Sequence, residues 1–224
     1  MSRNPLGPTE HPVKVLIVDD HPITREGLAI RLSREPDIRI CGEAIDIPDA
    51  LDAAAETAPD LAVVDVSLKS GCGIDLVKRL RGRWPELKIL VWSMHPDGLY
   101  ARRAIQAGAN GYVNKEQAPD VIVSAIRHVL AGGVFLNPET TQSLLREFGQ
   151  TGGPPPDPIA SLSDRELQVF RCLGEGLSTQ QIADRLHLSP KTVETYQARL
   201  RTKLGVDSGV ELLREAIRWV LATA

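Results

Sequence analysis

From Val13 to Leu136 short apolar runs rich in β-branched residues alternate with amphipathic stretches: VKVLIV, ITREGLAIRLSR, IRICGEA, IPDALDAAAET, LAVVDV, GIDLVKRLRGR, LKILVWS, GLYARRAIQAG, GYVN and APDVIVSAIRHVLAGG. Taken in order they predict five strands and five helices in strict alternation. Strands written almost entirely in Val, Ile and Leu are buried on both faces, so the pattern predicts an α/β fold: a doubly wound, five-stranded parallel sheet with helices on either side. The run IRICGEA also fits a piece of core helix, and at this level both readings stand.

The rhythm changes further on. After NPETTQSLLREFG comes QTGGPPPDPIA, in which Gly and Pro sustain neither helix nor inner strand, so residues 137–160 read as a linker with a semi-stiff proline-rich segment. Ahead of the first strand, residues 1–12 read as a tail. The boundaries that follow are 13–136 for the α/β domain and 161–224 for a second, all-α domain. There Ser163 to Glu166 is a capping box opening RELQVFRCLGEG, Ser178 caps TQQIADRLH, and Ser189 followed by Pro190 opens KTVETYQARLRTKLG. A fourth amphipathic helix, GVELLREAIRWVLA, follows.

Composition narrows the class. Of 224 residues 42% are hydrophobic and 25% charged, enough apolar surface for one or two stable cores. No apolar run reaches the roughly 18 residues a bilayer span needs, and MSRNPLGPTEHP lacks the apolar core of a signal peptide, so a cytoplasmic location is expected. Cys41, Cys72 and Cys172 are odd in number and far apart, which argues against a disulfide framework or a zinc site. The net charge of −3 is uneven: residues 1–160 carry 17 basic and 21 acidic side chains, residues 161–224 carry 9 and 8. Within the latter, Lys191, Arg199, Arg201 and Lys203 face only Glu194, a local positive stripe suited to an anion.

Ligands of an open doubly wound sheet bind beyond the carboxyl ends of its strands. Those ends here carry Asp19 and Asp20 after the first strand, Asp65 after the third, Ser93 after the fourth and Lys115 after the fifth. Three converging carboxylates repel one another unless a cation sits among them, and hard oxygen donors with room for water suit Mg²⁺. A lysine and a hydroxyl beside a metal-bound carboxylate make a cradle for a phosphoryl group. The alternative for Asp19 and Asp20 is that they cap the helix beginning near Pro22.

The order and spacing of VDDHP, VVDVSL, WSMH and AGANGYVNK resemble the receiver domain of bacterial two-component response regulators over Val13 to about Gly133. The resemblance implies that Asp65 accepts a phosphoryl group from a phosphohistidine on a sensor histidine kinase. It also implies that Asp20, Asp65 and the backbone carbonyl of Ser67 hold Mg²⁺ with Asp19 assisting through water, and that Ser93 and Lys115 bind the phosphoryl oxygens. Tyr112 stands where the family carries a switch aromatic. Two departures are visible: Lys69 occupies a position usually held by proline, and Glu116 follows the lysine where a proline is frequent.

LSDRELQVFRCLGEGLSTQQIADRLHLSPKTVETYQARLRTKLGV resembles the LuxR/NarL-type helix-turn-helix. Independently of that, Ile182, Ala183, Leu186, Leu188 and Val193 are spaced to form a shared apolar seam, leaving Lys191, Thr192, Glu194, Thr195 and Ala198 outward on the helix that would enter the major groove. Lys191 and Thr192 are expected at phosphates, Glu194 and Thr195 at base edges, and Arg199 and Lys203 along the DNA backbone. Ala198 and Gly209 thin the base-reading set relative to the family.

The combined expectation is a phosphorylation-dependent DNA-binding transcriptional regulator that is not a turnover enzyme, acting on double-stranded DNA as a homodimer. The alternative is a response regulator whose helical domain works through protein contacts. A nucleotide-binding enzyme is disfavoured because the turn DDHPIT has no glycines to cradle phosphates.

Overall fold

The computed structural model describes residues 12–69, 71–149 and 158–223; of the tail 1–12 only residue 12 is described, and residues 150–157 of the proline-rich segment lie outside the described residues. The elements are β1 (Val13–Val18), α1 (Pro22–Leu32), β2 (Ile38–Ala44), α2 (Ile47–Thr57), β3 (Leu61–Val64), β4 (Ser67–Leu68), β5 (Gly71–Cys72), α3 (Gly73–Arg83), β6 (Lys88–Ser93), α4 (Asp97–Gln106), β7 (Gly111–Asn114) and α5 (Pro119–Leu130). They continue with α6 (Pro138–Gly149), a 3₁₀ turn (Pro158–Ser161), α7 (Asp164–Gly174), α8 (Thr179–Arg185), α9 (Pro190–Leu204) and α10 (Gly209–Thr223).

Five strands form one parallel sheet in the order β2-β1-β3-β6-β7, and IRICGEA is a strand rather than a helix. The two-residue side-chain period divides each strand between two cores. Val15, Ile17, Leu61, Val63, Leu90 and Val113 pack with residues of α1 and α5. Leu16, Val18, Ala62, Val64, Ile89, Val91 and Tyr112 pack with residues of α2, α3 and α4. Neither face is left to water, which is why the strands are apolar without alternation. Each fully buried Val, Leu or Ile contributes about 1.5–3 kcal/mol.

Because β1 lies between β2 and β3, the chain reverses direction across the sheet at β1 and β3, and their carboxyl ends open onto a common crevice. The loop after Asp65, which carries Lys69, folds into a short antiparallel hairpin, β4 with β5. Its return to α3 is tight: the Gly73 amide donates to the Val66 carbonyl at 2.7 Å.

The region read as linker holds a further helix. In α6 the Thr140 amide donates to Asn137 Oδ1 at 2.6 Å, and Thr140 is buried. The apolar pattern was there in TTQSLLREF, but its nearness to the proline run obscured it.

In the helical half the capping boxes at Ser163 with Glu166 and Ser178 with Gln181 both form, and the Ser189 hydroxyl accepts from the Thr192 amide. Ile182, Ala183, Leu186 and Val193 are buried and Leu188 is partly buried, as the seam requires. This half docks on the sheet half through α7. Gln168 Nε2 donates to the Val66 carbonyl at 3.3 Å, and Arg165 Nη1 to the Gly71 carbonyl at 3.3 Å. Asp164 receives Lys78 and Arg103, each at 2.9 Å.

A Cβ at Gly73 would lie 1.8 Å from the carbonyl oxygen of Asp65. Backbone cannot yield as a flexible side chain does, so Gly73→Ala is expected to cost at least about 1–3 kcal/mol, the usual range for overpacking. Urea denaturation checks this, and an unchanged midpoint would show that the loop after Asp65 is not held as described.

Candidate functional site

The backbone ladder runs one residue past the strands and fixes the acids and the lysine to it. The Asp19 amide donates to the Ala44 carbonyl at 3.0 Å, the Asp65 amide to Val18 at 2.9 Å and the Lys115 amide to Ser93 at 2.9 Å. These side chains therefore project from the sheet's carboxyl edge in a register that the sheet imposes. Asp19 is 1% and Asp65 4% exposed.

Their charges are partly offset by one cation. Lys115 Nζ lies 2.7 Å from Asp19 Oδ2 and 3.0 Å from Asp65 Oδ2. Asp19 Oδ1 accepts from the His21 amide, and Asp65 Oδ1 from the Val66 amide at 2.7 Å. Burial pushes the Asp65 carboxyl up to about 6; the Lys115 cation pulls against that and the Asp19 charge adds to it. Neither Asp19 nor Asp20 caps α1, whose N-cap is His21 without a side-chain capping bond.

Asp20 is the acid left short of partners. Among the described residues its buried Oδ1 accepts no hydrogen bond, and His21 Nδ1 lies 2.8 Å away. Carboxylate oxygens of Asp19, Asp20 and Asp65 and a ring nitrogen of His21 all lie within 4.8 Å of one another. A buried carboxylate oxygen without a donor, within a set of hard oxygens, fits a divalent cation such as Mg²⁺.

Ser67 lines the same cavity, and its hydroxyl lies 3.1 Å from His95 Nε2. Ser93 is buried beside it, its hydroxyl accepting from the His95 amide at 3.3 Å. Tyr112 stands one layer deeper: its ring is buried, and its hydroxyl donates to the His95 carbonyl at 2.8 Å. His95 stacks on Tyr100 with ring centroids 4.3 Å apart. Burial, with Arg171 and Arg185 nearby, lowers its imidazole to about 3, so it is neutral near pH 7.

The cavity, of about 150 Å³, is lined by both halves of the chain: His21, Asp65, Ser67 and Lys115 from the sheet half, Arg171 and Arg185 from the helical half. Glu175 holds both arginines, at 2.8 Å from Arg171 Nε and 2.6 Å from Arg185 Nη1. His187 Nε2 reaches Asp20 Oδ2 at 3.3 Å. Sequence reading missed these three. Nothing in their local pattern marks them, since they meet the acids only through docking; His21 was adjacent to the acids and had gone unused.

On α9, Lys191, Glu194, Thr195, Ala198 and Arg199 are exposed and Thr192 is half-buried, so the face expected to be outward is outward. Lys203 differs. Its ammonium turns back to Glu166 Oε2 at 2.7 Å, where the carboxylate is only 4% exposed. From Lys191 to Lys203 an ideal helix turns through about 120° beyond whole turns, which carries Lys203 away from the leading face and toward α7.

Among the described residues no helix is long and apolar enough to cross a membrane. Residues 15–127 match the family described as response regulator receiver domain, and residues 160–216 match bacterial regulatory proteins, luxR family. The chain is 36% identical over 195 residues to the DNA-binding transcriptional activator DevR/DosR of Mycobacterium tuberculosis, covering 87% of this chain and 89% of that protein. It is 37% identical over 209 residues to the virulence factors putative positive transcription regulator BvgA of Bordetella pertussis, covering 93% and 99%. Among solved structures it is similar to RcsB from Salmonella enterica serovar Typhimurium bound to promoter rprA with the phosphomimetic BeF3−. There the TM-score is 0.59 and identity 26%, over 91% of this chain and 98% of that one.

In protein freed of cations by chelation, the Asp65 carboxyl carbon is expected to titrate near pH 6 by NMR. Lys115→Met removes the cation that opposes the rise, so the midpoint should move higher still. Titration near the ordinary value of about 4 would contradict the burial and charge balance described.

Proposed function

The chain belongs to the LuxR-family response regulators of two-component systems, DNA-binding transcriptional regulators with a receiver domain, and from that membership we propose that Asp65 is its phosphoryl acceptor and α9 its DNA-reading helix. The observation that carries the reading is Asp65 itself: a buried carboxylate at the switch point of the sheet, 3.0 Å from Lys115, with its other oxygen fixed by the Val66 amide. The proposed receiver is 13–136 and the DNA-binding domain 161–224, joined through 137–160.

In the proposed reaction a carboxylate oxygen of Asp65 attacks the phosphorus of a phosphohistidine on a sensor histidine kinase. An O–P bond forms as the N–P bond breaks, and the histidine leaves with the electron pair and takes up a proton. A Mg²⁺ held by Asp19, Asp20, Asp65 and the Ser67 carbonyl would offset charge on the transferred oxygens. Lys115 supplies a second positive group at the same place, which requires its ammonium to share itself between carboxylate and phosphoryl oxygens. Ser93 donates its hydroxyl to a phosphoryl oxygen, and its movement toward that oxygen draws its own oxygen away from the His95 amide. That amide is next to the carbonyl that Tyr112 holds, which gives Tyr112 its proposed role as the switch aromatic.

On DNA, Lys191 and Thr192 contact phosphates at the entrance of the groove, Glu194 and Thr195 face base edges, and Arg199 flanks the backbone. Lys203 has the same role only if it leaves Glu166. Two copies on half-sites roughly 10 base pairs apart would supply affinity that one weakly basic domain lacks. The stripe Val210, Leu213, Ile217 and Leu221, from 38% to 75% exposed on α10, supports pairing through that helix. The working compartment on this reading is the cytoplasm, and no turnover chemistry is assigned.

Incubation with acetyl phosphate and Mg²⁺ should add one phosphoryl group, read by intact mass, and Asp65→Asn should abolish it; labelling of the variant to the wild-type level would remove the assignment. On DNA, Lys191→Ala should weaken binding to all sequences alike, whereas Glu194→Ala should change the preferred base at one position, a discrimination of about 1–3 kcal/mol. Binding-site selection from random duplexes separates the two, and exchanged phenotypes would mean that α9 docks differently.

A further inference from the structure

The acids at the carboxyl edge touch the DNA-binding half directly, and the contact is made by the turn of the helix-turn-helix. His187 sits between α8 and α9 with φ of 50°, in the left-handed region that is uncommon for non-glycine residues and in which asparagine, aspartate and histidine are the enriched exceptions. Its Nε2 lies 3.3 Å from Asp20 Oδ2, and Asp20 is the acid whose second oxygen accepts no hydrogen bond among the described residues. Two positions later Ser189 caps α9. The residue that engages the pocket is therefore rigidly tied to the start of the DNA-reading helix.

Docking also changes the charge of the cavity. Arg171 and Arg185 line it together with Lys115, and Glu175 neutralises only part of what they bring. A divalent cation entering the same space meets these guanidinium groups as well as an Asp20 oxygen already in contact with an imidazole. Like charges at close range in a partly buried site repel strongly.

We propose that His187 competes with a divalent cation for Asp20, so that loading the acidic pocket with the cation and seating the helix-turn-helix turn on it exclude one another. The inference rests on the reading of Asp19, Asp20 and Asp65 as a cation site. It adds that the cation, ahead of any phosphoryl transfer, loosens the grip of the receiver on the DNA-binding half. Because coupling between two binding events is reciprocal, docking weakens the cation by the same factor that the cation weakens docking.

The test uses Mg²⁺ alone with the full chain. His187→Asn keeps a residue that tolerates the left-handed backbone while withdrawing the ring, so the fold is retained. Isothermal calorimetry should show Mg²⁺ binding at least about fivefold tighter in His187→Asn than in wild type, the lower end of ordinary coupling. Arg185→Ala should move affinity in the same direction. In wild type, the imidazole signals of His187 should shift toward those of a solvent-exposed histidine as Mg²⁺ saturates, and Asp20→Asn should remove that response. Equal Mg²⁺ affinity in wild type and His187→Asn, or imidazole signals unmoved at saturation, would each overturn the competition while leaving the cation site standing. Failure of Mg²⁺ to bind in either protein would overturn the site and the inference together.

Discussion

Three carboxylates stand at the carboxyl edge of one sheet with almost no access to water, and their mutual repulsion is the constraint to which the rest of this structure answers. Lys115 meets it in part by reaching two of them at once. That reach depends on the parallel register of β1, β3, β6 and β7, which sets the acids and the lysine one residue beyond their strands. It depends as well on Gly73, whose missing side chain lets α3 start against the Asp65 carbonyl. The apolar strands supply the stability that holds charged groups where they would not otherwise stay.

The helical half brings that unmet charge a further partner. Its docking face makes polar contacts to backbone carbonyls at Val66 and Gly71, both on the loop that follows Asp65, holds Asp164 between Lys78 and Arg103, and runs its apolar core on into that of the sheet half. Added to these, His187 supplies a partner for Asp20. The α9 face stays exposed throughout, so docking through α7 does not bury the surface assigned to DNA. What docking restrains is the position of that helix relative to a second copy. On this account phosphorylation acts by shifting an equilibrium between docked and released arrangements, because a loaded pocket is compatible with only one of them.

Much of this was legible in the residues. The sheet could be read because strands covered on both faces leave continuous apolar runs, and the acids because three of them fell at strand ends in register. The helical half could be read from its caps, since Ser163, Ser178 and Ser189 mark helix starts by a local hydrogen bond that the sequence itself displays. What escaped was short or non-local. The hairpin of β4 and β5 has two residues per strand, too few for any period. Helix α6 was masked by the prolines that follow it. Lys203, expected along the DNA backbone with Arg199, instead lies about 120° round α9 from Lys191 and pairs with Glu166. Arg171, Arg185 and His187 could not have been linked to Asp20 and Asp65 by pattern, because their meeting is a property of how the two halves dock.

The most direct test of the central claim, that the state of the acidic pocket decides how the two halves sit together, is amide hydrogen exchange on the full chain with and without beryllofluoride and Mg²⁺. The account predicts faster exchange on loading in α7 and in the turn around His187, with α9 beyond its first turn and α10 unchanged. Exchange in α7 and the turn that is the same, or slower, in the loaded protein would contradict it.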